Sequence, residues 1–330
     1  MTRKMTLFLA LVVGLIVLLV YMVTMPSDSY EGALPPLDDV GQEMARRIES
    51  HVNALCSYPA GRNYIEKKGL AAARDYIAGQ FESAGYQVEF QEYQLAGEDY
   101  ANIEVTRLGG AYPDEIIVVG AHYDAVIGAP GANDNGSGVA ALLELADQFK
   151  EAELPRSIRF VAFVNEEPPH FMTGTMGSDF YARHAASQKD KIIAMYSLET
   201  IGYFVDDAGS QHYPPPFSFF YPSQGNFIAF VGNLRSRSLV TRSIRAFRAH
   251  ATFPSEGIAA PAFIPGVNWS DHWSFWKQGY PAVMITDTAL YRYPYYHTAQ
   301  DTPDKVDYDK MVHVIRGLAK MLEDLLRLNE

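Results

Sequence analysis

Short apolar runs that alternate with amphipathic segments constrain this chain more than any other feature. Largely apolar runs occupy 115–119, 158–164 and 192–198, and a segment of helical periodicity spans Gly138 to Lys150 between the first two. Runs of this kind are typical of strands buried on both faces, and their alternation with helices is typical of parallel sheets. We therefore predict an α/β fold with a mixed, largely parallel central sheet flanked by helices on both faces.

The same periodicity predicts the remaining elements. Apolar residues every three or four positions predict two helices near residues 40–55 and 70–84, with Asp38 or Asp39 capping the first. Further predicted helices lie at 178–186, 236–250 and 308–328, and further strands at 87–95, 102–108, 227–231 and 282–286. The aromatic and proline-rich stretch from Tyr203 to Gln224 predicts a long ordered loop that forms one wall of a pocket.

An uncharged segment at the N-terminus predicts a membrane anchor over residues 1–27. No charged residue occurs from Met5 to Ser27, and these positions would span about 34 Å as a helix, enough for a bilayer core of about 30 Å. Arg3 and Lys4 precede the segment and acidic residues follow it, so the positive-inside rule predicts a single-pass protein with an extracytoplasmic domain. The alternative is a cleaved signal peptide, which would make the protein secreted, but the usual small-x-small cleavage site is missing.

The rest of the chain predicts a linker and one catalytic domain. Residues 28–36 are rich in Pro, Ser, Asp and Gly, and the domain is expected over 37–330. With 330 residues, of which 48% are hydrophobic, the chain can bury a large core. The net charge of −12 without a basic run excludes nucleic acid as an expected partner, and the single cysteine, Cys56, cannot form an internal disulfide.

Polar residues follow the predicted buried strands directly. His122-Tyr123-Asp124 follows the first of them, Asn165-Glu166-Glu167 the second and Glu199 the third, while Asp287 and Tyr296-His297-Thr298 come later. The carboxyl ends of parallel strands meet at one edge of a sheet, so we expect these side chains to converge there. Gathered carboxylates repel one another unless a cation is present, and imidazole with carboxylate and no thiolate suits zinc.

The glycine-rich loop at 128–138 brings one more carboxylate to this edge. It places Asp134 at the start of the helix that follows, where a negative charge is favoured by the helix dipole. Its glycines allow close backbone approach and positive φ.

Five motifs together resemble the co-catalytic zinc aminopeptidase family, which also includes glutamate carboxypeptidase and the glutaminyl cyclases. They are Gly-Ala-His-Tyr-Asp at 120–124, Gly-Ala-Asn-Asp-Asn-Gly-Ser-Gly at 131–138, Asn-Glu-Glu at 165–167, Ser-Leu-Glu at 197–199 and Tyr-His-Thr at 296–298. The resemblance covers about residues 40–325, with the motifs in the family's order.

The resemblance implies a ligand set for two zinc ions. Asp134 would bridge the ions, Glu167 and His297 would complete one site, and His122 and Glu199 the other. Many aminopeptidases of the family have aspartate where this chain has Glu199, so two ions are expected and one remains an alternative.

The resemblance also implies the catalytic groups. Glu166 would be the general base for a zinc-activated water, and Tyr296 would hydrogen-bond the developing oxyanion. Asp124 would hold the imidazole of His122 through its second nitrogen. The family also implies a cis peptide bond between Asp134 and Asn135.

The sequence gives fewer indications of the substrate-binding residues than of the metal ligands. Asp271 lines the substrate site or caps a helix. An apolar pocket is expected from a group of aromatic residues, Tyr203, Phe204, Trp269, Trp273, Tyr291 and Tyr293.

The expected function is that of an aminopeptidase that hydrolyses N-terminal residues of peptides. A glutaminyl cyclase is one alternative. A carboxypeptidase is another, and it would need an arginine for the substrate carboxylate; the candidates are Arg235, Arg237, Arg242 and Arg292. A receptor-like ectodomain without catalysis is a third alternative, which the intact ligand and base positions disfavour. Nothing in the sequence sets the oligomeric state.

Overall fold

The computed structural model describes residues 3–58 and 61–327. The first two residues of the predicted anchor and the last three of the predicted domain therefore lie outside the described residues. The helices are α1 (Arg3–Val23), α2 (Asp39–Leu55), α3 (Lys67–Ser83), α4 (Gly138–Phe149), α5 (Gly177–Gln188), α6 (Arg237–His250), α7 (His272–Lys277) and α8 (Tyr308–Arg327). The strands are β1 (Glu89–Leu95), β2 (Glu98–Arg107), β3 (Tyr112–His122), β4 (Arg156–Phe163), β5 (Lys191–Glu199), β6 (Val205–Ala208), β7 (Gln224–Gly225), β8 (Ile228–Gly232), β9 (Ser255–Ala259) and β10 (Ala282–Thr286).

Eight of the strands form one mixed sheet in the order β1-β2-β4-β3-β5-β10-β8-β9. The pairs β4-β3, β3-β5, β5-β10 and β8-β9 are parallel. The pairs β1-β2, β2-β4 and β10-β8 are antiparallel. The central part of the sheet is therefore parallel, and the predicted fold class is confirmed.

Helices cover both faces of the sheet. Alternate residues of each strand point to opposite faces, so one strand contributes side chains to two cores. Along β3, Ile117 and Val119 belong to a core shared with α2, α3, α4, α6 and α8. Ile116 and Val118 belong to a second core with residues of α5 and α7 on the other face. The parallel strands are buried on both faces, which explains why they appear in the sequence as continuous apolar runs.

Short elements account for most differences between the predicted and observed structure. Strand β9 was not predicted because it has five residues with Gly257 at its centre, and glycine disfavours a strand. Helix α7 has six residues, too few to show helical periodicity. The predicted loop from Tyr203 to Gln224 contains β6 and a 3₁₀ turn at Phe217–Phe219, and β6 pairs with β7.

Helix α1 is long and apolar enough to be a membrane anchor or a signal sequence. Most of its side chains are exposed, but Met22 near its end is buried in a cluster that includes Phe217, Phe227 and Met284. The backbone at the end of α1 is also held, since Arg237 of α6 donates hydrogen bonds to the carbonyl oxygens of Tyr21 within the helix and Thr24 just after it.

Hydrogen bonds hold the chain just after β4, immediately before Asn165, Glu166 and Glu167. Asn102 of β2 donates a hydrogen bond to the Gly177 carbonyl and accepts one from the Val164 amide. The Gly177 amide in turn donates to the Val164 carbonyl over 2.8 Å. A Cβ at Gly177 would lie closer than 3.0 Å to atoms of Asn102 and Val164. This close approach fixes the direction in which the chain leaves β4.

We predict that Gly177→Ala destabilises the fold by about 1–3 kcal/mol, because the added methyl group overpacks this junction. Gly79→Ala is the matched control, since a Cβ at this position of α3 meets nothing within 4 Å. Alanine there should stabilise the helix by about 0.5–1 kcal/mol. Urea unfolding of both variants measures the difference, and equal stabilities would contradict the close packing at Gly177.

Candidate metal centre

The side chains that follow the central strands converge at one edge of the sheet. Two groups of potential metal ligands form there: His122 with Asp134 and Glu199, and Asp134 with Glu167 and His297. Asp134 belongs to both groups. The structure thus brings together the five residues that the sequence predicts as ligands, although they come from five separate places in the chain.

The distances within the two groups are short. His122 Nε2 lies 3.4 Å from Asp134 Oδ1 and 3.4 Å from Glu199 Oε2. His297 Nε2 lies 3.1 Å from Asp134 Oδ2 and 3.4 Å from Glu167 Oε2. Two ligand atoms bound tetrahedrally to one zinc at 2.0–2.2 Å are about 3.3–3.6 Å apart. The donor atoms therefore have nearly the spacing that zinc requires.

Several polar atoms of these residues lack a hydrogen-bond partner among the described residues. His122 Nε2, Asp134 Oδ2 and Glu167 Oε1 are buried and unpaired. An unpaired buried polar atom costs about 1–3 kcal/mol, so such atoms in one place call for an explanation. A bound cation would satisfy all three, and the mixture of imidazole and carboxylate fits zinc.

The loop that carries Asp134 is held by hydrogen bonds to its backbone. Asp301 accepts from the amides of Asn133 and Asp134 over 2.8 and 3.1 Å. Asn135 donates to the Leu198 carbonyl and accepts from the Thr200 amide, which ties the loop to the end of β5. The peptide bond between Asp134 and Asn135 is cis, as the family resemblance implies.

Asp124 positions the chain after β4 as well as His122. Its carboxylate accepts from the amides of Glu166 and Glu167, both over 3.1 Å. The Nδ1 atom of His122 lies 3.2 Å from the Asp124 carbonyl oxygen and 3.6 Å from its carboxylate. The Asp124 carbonyl oxygen is therefore within hydrogen-bond distance of the imidazole, and the Asp124 carboxylate lies slightly farther from the same nitrogen.

Glu166 and Tyr296 lie beside the ligands without belonging to either ligand group. Burial raises the pKa of Glu166 well above its usual range, and the carboxylates of Glu199 and Glu167 add to this effect. Burial also raises the pKa of Tyr296. The Tyr296 ring stacks on the His297 ring at 3.9 Å between centroids.

Glu199 is held by a serine that the sequence analysis missed. Ser270 Oγ donates to Glu199 Oε2 over 2.7 Å, and Ser197 Oγ lies 2.7 Å from Ser270 Oγ. The hydrogen bond from Ser270 fixes one carboxylate oxygen of Glu199, whose side chain is one methylene longer than that of aspartate. A serine ahead of a short helix gives no signal that separates this role from an ordinary turn.

Asp271 lies beside the centre and does not cap a helix. It occupies the position before α7, but its side chain makes no capping hydrogen bond. Its carboxylate is fully buried, with His122, Glu199 and Asp124 among the charged groups that act on it, and burial raises its pKa to about 7. Asp271 is not among the residues that line the apolar cavity described below.

Two further residues, Arg62 and Asp301, hold backbone segments near the ligands by hydrogen bonds. Arg62 is fully buried and donates to four backbone carbonyls, including Pro130 and Gly131 ahead of Asp134. The carboxylate of Asp301 also accepts from the Tyr293 hydroxyl over 2.7 Å. Both residues act on backbone that only the fold brings near, so no local sequence pattern identifies them.

Asp287, which we expected at the same edge, supports the loops instead of offering a ligand. It accepts hydrogen bonds from Asn133 Nδ2 and from the amides of Tyr203 and Ala289. Neither ligand group includes it.

An apolar cavity of about 840 Å³, which includes its open mouth, adjoins the ligands. Glu199 and Tyr296 line it at the metal centre, and Tyr213, Phe217 and Tyr221 line it from the segment 203–224. The prediction that this segment forms one wall of a pocket is confirmed. Of the six aromatic residues predicted for the pocket, Trp269 and Tyr291 line the cavity, while the other four do not.

A family model for peptidase family M28 matches residues 102–322, about two thirds of the chain. The chain belongs to peptidase family M28. The match spans every proposed ligand, the proposed base and Tyr296. Membership of family M28 supports a metallopeptidase.

Two bacterial proteins are similar to this chain in sequence. The uncharacterised protein YfbL of Escherichia coli is 38% identical over 84% of this chain and 87% of its own length. Aminopeptidase YwaD of Bacillus subtilis is 28% identical over 61% of this chain, and the match spans 38% of YwaD.

Solved structures share the fold of this M28 chain. BSAP, a zinc aminopeptidase from Bacillus subtilis, matches with a TM-score of 0.66 and 15% identity over 85% of this chain and 95% of its own. The glutaminyl cyclase of Fimbriiglobus ruber matches with a TM-score of 0.63 and 20% identity over 89% and 97%. At these identities the likeness shows the fold alone.

Proposed function

We propose that the chain is a zinc-dependent aminopeptidase that removes single residues from the N-termini of peptides. The apolar cavity carries this proposal, because it begins at Glu199 and Tyr296 and extends away from the ligands beneath the segment 203–224. A pocket beside a hydrolytic centre suits the side chain of one terminal residue.

The chain's residues would hold two zinc ions in the two groups that share Asp134. His122 and Glu199 would complete one site, and Glu167 and His297 the other. When bound, zinc would supply a Lewis acid that activates water and polarises the scissile carbonyl. The short spacing of the donor atoms and their missing hydrogen-bond partners support this assignment.

Glu166 is proposed as the general base. Its backbone is fixed by Asp124, and it lies outside both ligand groups, so its carboxylate is available for proton transfer. Burial raises the pKa of Glu166, so its ionised carboxylate is a stronger base, which suits a group that takes a proton from water and then gives it to the leaving amine. Tyr296, which lines the cavity, would donate to the oxyanion. Asp271, which interacts electrostatically with Glu199 but does not line the apolar cavity, is proposed as a substrate-binding carboxylate.

The described arginines do not favour a carboxypeptidase. Arg237 is engaged with the backbone of Tyr21 and Thr24, and Arg292 is buried with hydrogen bonds to Gln211, Tyr203 and Phe227. No arginine lines the described cavity.

The function is tested with zinc-loaded full-length protein and a panel of aminoacyl amides. We expect hydrolysis from free N-termini, no hydrolysis of the N-acetylated counterparts, and loss of activity on chelation that zinc restores. Cyclisation of a glutaminyl peptide without hydrolysis of any amide would identify a cyclase instead. Activity that survives complete removal of metal would contradict the metal-dependent mechanism.

Matched glutamine variants separate the base from a ligand. Glu166→Gln should retain zinc and lose about 10²- to 10⁴-fold in kcat, because general-base catalysis is removed. Glu167→Gln, one residue away, should lower zinc content, because a charged ligand is removed. Zinc content by elemental analysis and kcat on one amide measure both effects. Wild-type turnover in Glu166→Gln would contradict the assigned base.

We further propose that α1 is a retained anchor and that the domain lies outside the cytoplasm. The burial of Met22 and the bonds from Arg237 to the end of α1 support retention, because they tie this helix to the domain. Arg248 adds hydrogen bonds to the carbonyls of Pro26 and Ser27. A segment that is removed after translocation needs no such contacts.

We expect the full-length protein to remain in membranes after alkaline washing, with residues 1–27 present in its intact mass. Protease added to the extracytoplasmic side should degrade the domain, whereas a cytoplasmic marker protein stays intact. A soluble product that lacks residues 1–27 would show a cleaved signal sequence instead.

A further inference from the structure

The apolar cavity has a second carboxylate at some distance from the metal ligands. Glu256 of β9 lines the cavity together with Glu199 of β5. These two are the only charged side chains among the described residues that line it. Most of the remaining lining is aliphatic or aromatic, so a carboxylate there lacks the surroundings that usually compensate for its burial.

The strand register places Glu256 opposite the metal centre across the floor of the cavity. Glu199 is paired with Thr286, Thr286 with Ala229, and Ala229 with Glu256. Paired residues on neighbouring strands project from the same face of a sheet. The row crosses three strand spacings, which is about 14 Å. Because Thr286 and Ala229 are small, this floor leaves room for a long side chain between the two carboxylates.

The carboxylate of Glu256 is only weakly engaged by the protein. Its side chain is 25% exposed, and Nη2 of Arg248 lies 3.9 Å from its Oε2, beyond hydrogen-bond distance. The guanidinium of Arg248 donates instead to Ser255 and to the carbonyls of Pro26 and Ser27. Burial raises the pKa of Glu256, and the attraction of Arg248 only partly opposes this. A donor brought by a ligand would therefore find free acceptor capacity.

We propose that Glu256 selects substrates whose N-terminal residue is lysine or arginine. This rests on the proposed aminopeptidase function, with Glu199 at the reacting end of the cavity. The methylene stem of either side chain packs against the apolar walls while the cationic head reaches Glu256. Charged side chains with long apolar stems commonly divide their contacts in this way.

The geometry disfavours leucine as the preferred residue. The leucine side chain extends three bonds from Cα, whereas the ammonium nitrogen of lysine lies five bonds away. Leucine would fill the part of the cavity next to Glu199 and leave Glu256 without a partner. Norleucine is the sharper comparison, because it has the lysine stem without the ammonium group.

The first experiment measures kcat/KM of zinc-loaded full-length protein for lysyl, norleucyl and leucyl amides. A hydrogen-bonded charge pair should favour lysine over norleucine by about 10- to 100-fold. Hydrolysis of leucine or norleucine at least as fast as lysine would overturn the role of Glu256 while leaving the aminopeptidase function intact. Absence of hydrolysis for all three would count against the aminopeptidase function.

Variants test whether Glu256 is the source of the preference. Glu256→Gln should lower kcat/KM for lysine about tenfold and change the value for norleucine by less than about threefold, because only the charge is removed. Glu89→Gln is the control, since Glu89 is exposed on β1 at the opposite edge of the sheet. A preference for lysine that persists in Glu256→Gln would overturn the proposal.

Binding of free amino acids gives a readout that does not depend on turnover. Calorimetric titration of the zinc-loaded protein with L-lysine and L-norleucine should show tighter binding of lysine, and Glu256→Gln should remove the difference. Equal affinities in the wild-type protein would overturn the proposal even if no amide is hydrolysed.

Discussion

The concentration of buried carboxylates at one edge of the sheet is the constraint on which this structure depends. Asp134, Glu166, Glu167, Glu199 and Asp271 are all buried within one region, which also contains the imidazoles of His122 and His297. Burial raises the pKa of the three glutamates and of Asp271, so holding these four groups as anions is unfavourable without a cation, whereas His122 and His297 lower the pKa of Asp134 despite its burial. A divalent cation removes this conflict, so the stability of the centre and its capacity to bind metal are linked.

The backbone around the centre is arranged to keep these side chains in place. Asn165 before Glu166, Thr200 after Glu199, and His297 itself have positive φ values of 58°, 44° and 57°. Such conformations cost non-glycine residues about 1–3 kcal/mol and persist only where the surroundings enforce them. At two of these places hydrogen bonds enforce the conformation: Asp124 holds the amides after Asn165, and Asn135 holds the amide of Thr200. The strained residues are therefore His297 itself and the neighbours of Glu166 and Glu199, where the backbone sets the direction of these side chains.

The sequence predicts which side chains meet at this edge because several of them follow strands that appear as clear apolar runs. His122, Glu166 and Glu199 end or follow β3, β4 and β5, and parallel strands bring such residues to a common edge. Supporting residues are different, because Arg62, Ser270 and Asp301 act on groups that are distant in sequence. Glu256 was missed for a related reason: β9 is short, interrupted by Gly257 and recognisable only through its pairing with β8.

Helix α1 and the apolar cavity pack against the same residues. Met22 is buried in the cluster that contains Phe217, Phe227 and Met284, and these three residues also line the cavity. Arg248 bonds the backbone of Pro26 and Ser27 and is also the cation nearest to Glu256. The contacts that hold the segment after α1 therefore lie beside the part of the cavity that contains Glu256.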